Sequence, residues 1–198
     1  MSSLSDIVAR HTANVDGSHD HSHLQRVVAN CSRLCAAEGL SPDDARLCAA
    51  AAWAHDLDDK KYGGSDALPS ARSVLAEAGG YSAADIERVC AIIRGVSFSA
   101  EKAARGAGGA PPPPPDSLTA VVQDADRLDA IGAHGIARCF CFGGARNRPL
   151  AESVAHFHEK LLTLKGLMKT AAGRREADAR HDFMVAFLAQ MDSEAAGV

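Results

Sequence analysis

The run LCAAAAWAHDL, residues 47–57, is apolar nearly all the way round a helix, and such a helix belongs in the middle of a packed bundle. Its start is well marked. Ser41 reads as the cap, Pro42 falls in the first turn, and Asp43 and Asp44 follow. The same period recurs along the chain. Val27, Val28, Cys31, Leu34 and Cys35 make one apolar face on a helix that begins near Asp20 and stops at Gly39. Further helices are expected at 67–78, 83–95, 117–142, 151–169 and 174–191. Gly79-Gly80 separates the first two, and the long 117–142 stretch is expected to break near Gly132 or Gly135. No alternating run of strand length interrupts this pattern, so the expected fold class is all-α, a helical bundle.

With 198 residues and 46% hydrophobic content, the chain can bury one substantial core, which predicts a single domain over residues 1–198. One segment differs in kind. AARGAGGAPPPPP, residues 103–115, has no apolar surface to bury and cannot be helical, so it reads as a loop insertion. The formal net charge of −4 argues against stable nucleic-acid binding, which needs a basic surface. No run of apolar residues is long enough to span a membrane, and the first twenty residues lack the basic-then-apolar order of a secretory signal. The six cysteines contain no Cys-x-x-Cys pair. They read as reduced structural thiols, small buried hydrophobes in a cytoplasmic protein.

Side chains of ligand type crowd two places, DGSHDHSH at 16–23 and HDLDD at 55–59. A divalent ion needs several imidazole or carboxylate donors converging on one point, with a position left for water. His55 and Asp56 end the alanine-rich helix, where adjacent side chains diverge by about 100° and can grip one ion together. His23 lies at the start of the preceding amphipathic helix, and Asp126 lies in VVQDADRLDA beside Arg127 and Asp129. Each piece has a plainer reading. His-Asp occurs three times in the chain, and a histidine at a helix end beside a surface acid needs no ion. His156, His158 and His181 read as surface or packing residues.

Taken together, DGSHDHSHLQRV, AAAAWAHDLDDKKY, IIRGVSFS, VVQDADRLDAIGAHGIARCFCFGG, HFHEKLLTLKGLMKT and RHDFMVAFL resemble the HD-domain metal-dependent phosphohydrolases. The likeness is strongest to a small bacterial and fungal branch that includes a nucleoside triphosphate pyrophosphohydrolase. It covers nearly the whole chain, and Val121–Gly144 is its most specific stretch. The resemblance implies an HD-domain helical bundle with one divalent metal ion on His23, His55, Asp56 and Asp126. Manganese or magnesium is favoured over cobalt, nickel, zinc or iron. His134 stands where a small or apolar residue is expected.

That ligand set leaves positions for water and a phosphate oxygen, which suits hydrolysis. Asp59 is the candidate to accept or orient the proton of the attacking water, with Asp58 as substitute. Arg26, Lys61 and His19 are the candidates to balance phosphate charge, Arg26 and Lys61 being placed among the catalytic group as well. Arg127 and Asp129 are candidates to orient the fourth ligand. The expected activity is hydrolysis of a nucleoside or deoxynucleoside triphosphate to monophosphate plus pyrophosphate. A 5′-nucleotidase acting on monophosphates is the alternative within the class, and a nucleotide-sensing module without turnover is the alternative outside it. The expected partner is a small-molecule nucleotide, with a homodimer allowed.

Overall fold

The computed structural model describes residues 3–12, 21–58, 64–65, 67–96, 101 and 115–197. All regular structure among them is helical. The α-helices, in chain order, are α1 (Leu4–Thr12), α2 (His21–Ala37), α3 (Pro42–Ala54), α4 (Pro69–Ala78), α5 (Ala83–Val96), α6 (Ser117–Asp129), α7 (Gly132–Ala145), α8 (Leu150–Glu159) and α9 (Ala171–Ala196). A 3-10 turn over Leu161–Leu167 lies between the last two.

The ends of these helices follow local chemistry. Ser41 caps α3 by accepting from the Asp44 backbone N–H at 3.1 Å, and Pro42 sits in the first turn. Asp116 caps α6, its carboxylate accepting from the Leu118 and Thr119 N–H groups at 3.0 Å each. α2 stops where Gly39 turns to φ 69°, a left-handed conformation that favours glycine. The Leu40 N–H then closes back on the Cys35 carbonyl at 3.0 Å.

Two expected helices prove to be composite. The 117–142 stretch divides after Asp129, where Ala130 and Ile131 leave the helix and α7 begins at Gly132 with φ 75°. The 151–169 stretch is α8 followed by the 3-10 turn, so an unbroken helix there is corrected. The turn lets Lys169 and Thr170 approach α6, which a straight helix would carry past. Most of the 103–115 insertion lies outside the described residues.

α2 and α3 occupy the centre, α2 against α3 and α6, and α3 also against α5 and α6. Their inward faces (Leu24, Val27, Cys31 and Leu34 on α2; Leu47, Cys48, Ala51 and Ala52 on α3) are buried in one hydrophobic cluster that runs from Ile7 to Leu188. The alanines matter here. A helix with small side chains lets its neighbours come close, which brings the ends of α2, α3 and α6 to one place.

Asp124 fixes α9 against α6. It is fully buried and accepts from the backbone N–H of Lys169 at 2.9 Å and of Thr170 at 2.7 Å, and from the Thr170 hydroxyl at 2.8 Å. A carboxylate is favoured there because the start of a helix presents unsatisfied N–H groups and a positive dipole end. No described helix is long and apolar enough to cross a membrane.

Candidate metal centre

His23 lies in the first turn of α2, His55 caps the C-terminus of α3 with Asp56 next to it, and Asp126 belongs to the last turn of α6. The structure brings all four together. His23 Nε2 is 3.4 Å from Asp56 Oδ2 and 3.7 Å from Asp126 Oδ1. His55 Nε2 is 3.3 Å from Asp56 Oδ1 and 3.7 Å from the same Asp126 oxygen. The two imidazoles meet edge to face, their ring centres 5.6 Å apart.

Both rings are held by their other nitrogen. His23 Nδ1 is 2.7 Å from Asp129 Oδ2, and His55 Nδ1 is 2.9 Å from the Ala52 carbonyl oxygen. These partners only accept, so each Nδ1 carries a hydrogen, and it is Nε2 of each ring that faces the carboxylates, with a lone pair to offer once its own proton has left. His55 Nε2 is buried and makes no hydrogen bond of good geometry. A buried nitrogen left in that state asks for a ligand.

The electrostatics agree. Burial opposes charge on His55, yet the Asp56 and Asp126 carboxylates outweigh it and the imidazole is pushed up to about 10. Burial likewise acts against charge on Asp126, but His55 holds its carboxyl down to about 2. Two carboxylates facing two imidazoles therefore demand positive charge at their centre, which protons supply in the absence of a cation.

This donor set fits a divalent ion. Metal–donor bonds of about 2.0–2.2 Å put neighbouring donors about 3.0–3.5 Å apart, and the contacts here need contract by only a few tenths of an ångström. Asp126 is the open member, with 32% of its side chain exposed, while His23 shows 1%. The cluster is thus closed on the protein side and accessible on the other.

Asp129 is the hub behind His23. Besides the imidazole, it accepts from Arg26 Nε at 2.6 Å, Arg26 Nη2 at 3.1 Å and Arg138 Nη1 at 2.7 Å. Burial alone would raise its carboxyl, but His23 and Arg26 hold it well below the usual carboxylate range. Arg138 was not anticipated from the sequence. It stands nine residues beyond Asp129 across the break between α6 and α7, a separation that matches no local period.

Several candidates fall elsewhere. Arg127 does not touch Asp126; it bonds the Leu167 carbonyl at 2.7 Å and pairs with Glu101, tying α6 to the 3-10 turn. Asp58, the substitute base, is buried and accepts from the Ser70 and Ala71 N–H groups at 3.1 and 2.8 Å, which anchors the start of α4. Neither holds the role expected of it. Arg26 is half-buried beside His23, with Asp129 and Ser22 as partners. His134 is exposed in the first turn of α7. His19, Asp59 and Lys61 lie outside the described residues.

Comparison with known proteins places this geometry in context. A family model described as the HD domain matches residues 21–131, the stretch that contains all four converging side chains. The chain is 36% identical over 186 residues to the Bacillus subtilis (strain 168) protein YpgQ, covering 91% of this chain and 86% of that one. The crystal structure of B. subtilis YpgQ in complex with ADP superposes with a TM-score of 0.75 at 31% identity, over 96% of this chain and 97% of that one. An HD-superfamily hydrolase from Bacillus thuringiensis gives a TM-score of 0.74 at 30% identity, over 98% and 96% of the two chains. A Lactobacillus plantarum protein gives 0.78 at 30% identity, over 98% and 96%. The chain belongs to the HD-domain family and is a hydrolase of its metal-dependent phosphohydrolase kind.

Proposed function

We propose that this enzyme hydrolyses nucleotides at one divalent metal ion held by His23, His55, Asp56 and Asp126, releasing pyrophosphate from nucleoside or deoxynucleoside triphosphates. The observation that carries the reading is the convergence of these four side chains, with His55 Nε2 buried and turned inward. The ADP complex of YpgQ supports a nucleotide as the ligand class. The two carboxylates suit manganese or magnesium, the ions that the resemblance favours, and the two imidazoles suit nickel, zinc or iron.

Bound there, such an ion supplies positive charge to a phosphate oxygen and acidifies a water. The protein's own groups do the rest. Asp129 and the Ala52 carbonyl keep the imidazoles turned inward, so no reorganisation is needed as substrate arrives. Asp59 is the proposed proton acceptor for the attacking water. Lys61 and His19 are proposed to meet the outer phosphates, as are the guanidinium hydrogens of Arg26 not directed at Asp129 or Ser22. Pyrophosphate leaves more readily than an alkoxide, which favours the anhydride bond over a monoester.

Product analysis tests the assignment. Nucleoside mono-, di- and triphosphates are incubated with enzyme and each metal in turn, without added pyrophosphatase, and products are separated by chromatography. Pyrophosphate from triphosphates is the expected result. Orthophosphate from monophosphates as the dominant activity would replace the bond assignment with that of a 5′-nucleotidase. Tight nucleotide binding with no turnover under any metal would point instead to a sensing module.

A further inference from the structure

Three of the six cysteines meet away from the His/Asp cluster. Cys31 and Cys35, one turn apart on α2, and Cys48 on α3 bring their sulfurs within 4.8 Å of one another. All three are buried, Cys31 and Cys48 completely and Cys35 to within 3%. Cys31 lies more than two turns along α2 from His23, and Cys48 about two turns before His55 on α3, so the thiols sit on the order of 10 Å from the imidazoles. Packing alone does not call for sulfur here. Ala51, Ala52 and Val27 fill the neighbouring positions of the same two helices.

We propose that Cys31, Cys35 and Cys48 form a thiolate site for one soft monovalent cation, with monovalent copper as the ion of matching chemistry. The choice rests on softness and coordination number. Thiolate sulfur selects soft ions. Structural zinc takes four donors, whereas among the described residues no histidine, carboxylate or fourth cysteine joins these three sulfurs. Metal–sulfur bonds of about 2.3 Å in a trigonal plane put the sulfurs about 4.0 Å apart, so closure needs side-chain shifts of less than an ångström.

The binding step needs no oxidant. The ion enters as Cu(I) and stays Cu(I), and each cysteine that binds as thiolate releases one proton to solvent. The consequence is mechanical. The ion clamps α2 to α3, the helices that carry His23 and His55, and binding to the folded state alone raises thermal stability.

Titration of the reduced full-length protein with Cu(I), against a chromophoric Cu(I) chelator, tests the site. The wild type is expected to withdraw one equivalent of copper, with an ultraviolet sulfur-to-copper charge-transfer band and a raised Tm. The Cys31→Ala/Cys48→Ala double variant should lose all three, and so should Cys48→Ala alone if the pair fails to fold. Cys90→Ala and Cys141→Ala should behave as wild type, since Cys90 is buried outside the cluster and Cys141 is exposed. Asp56→Ala should also keep the band, which separates this site from the His/Asp cluster. A wild type that leaves copper with the chelator overturns the proposal. So does a band that survives in Cys48→Ala or disappears with Cys141→Ala.

Discussion

His23 Nδ1 and Asp129 Oδ2 are 2.7 Å apart, joining residues 106 positions distant in the chain. This contact fixes which nitrogen of His23 faces Asp56 and Asp126. Asp129 is held in turn by Arg26 and Arg138, so the imidazole is oriented by a carboxylate that cannot itself swing away.

Replacing Asp129 by asparagine keeps the shape but removes the charge that raises the basicity of His23. Loss of such an outer partner commonly weakens metal affinity by about 10–100-fold. The expected outcome is a rise of that order in the metal concentration needed for half-maximal activity, with kcat largely restored at saturation. An unchanged metal requirement would remove Asp129 from any positioning role.

Asp56→Ala should abolish turnover while circular dichroism still reports a helical protein. Asp56 is partly exposed, at 17% of its side chain, so its loss opens no core cavity. It does remove a carboxylate that faces both imidazoles. Near-native activity at saturating metal would show that the proposed ligand set is wrong.

Asp116 caps α6, the helix that carries Asp124, Asp126 and Asp129. Asp116→Ala should lower stability by about 1 kcal/mol. The wild-type contribution is also pH-dependent. Burial opposes the charge, but the hydrogen bonds from Thr119 and Leu118 outweigh it and depress the carboxyl. A depressed acid contributes stability that is present above its unfolded value, about 3.9, and lost as pH falls through the folded one. Urea titrations from pH 6 downward should therefore show wild type and Asp116→Ala converging. A gap that stays constant into strong acid contradicts the sign.

Gly173→Ala offers a test of the α6–α9 anchor. In an ordinary helix this change is favourable by up to about 1 kcal/mol. Here an added Cβ would lie 2.8 Å from the Thr170 hydroxyl and 2.9 Å from the Asp124 carboxyl carbon. Overpacking should reverse the sign and destabilise the protein by about 1–3 kcal/mol. A raised Tm for the variant would mean that the contact around Asp124 yields easily.

Much of the fold was legible because helix formation answers to near neighbours. The apolar faces of α2 and α3, the Ser41-Pro42 start and the stop at Gly39 all depend on residues within about four positions of one another. The break before Gly132 was legible for the same reason, while the 3-10 turn after α8 was not, because LLTLKGL carries the apolar content of a helix and its winding answers to packing on α8 and α9. The crowding of His and Asp in HDLDD and VVQDADRLDA marked the residues that converge, but their neighbours were ambiguous. Asp58 and Arg127 have the right chemistry and the wrong direction. A single residue of offset turns a helical side chain by about 100°, which sends Arg127 to the 3-10 turn, while Asp58 lies in the turn after α3 and reaches the start of α4.

The sequence by itself determined the helical class, most helix limits and the residue types available for chemistry. Tertiary structure decided which of those residues meet. It set Asp129 behind His23, brought Arg138 to Asp129 across the break between α6 and α7, and gathered Cys31, Cys35 and Cys48 between two helices. These pairings depend on how whole helices pack, and no local period encodes the distance between side chains that belong to different helices.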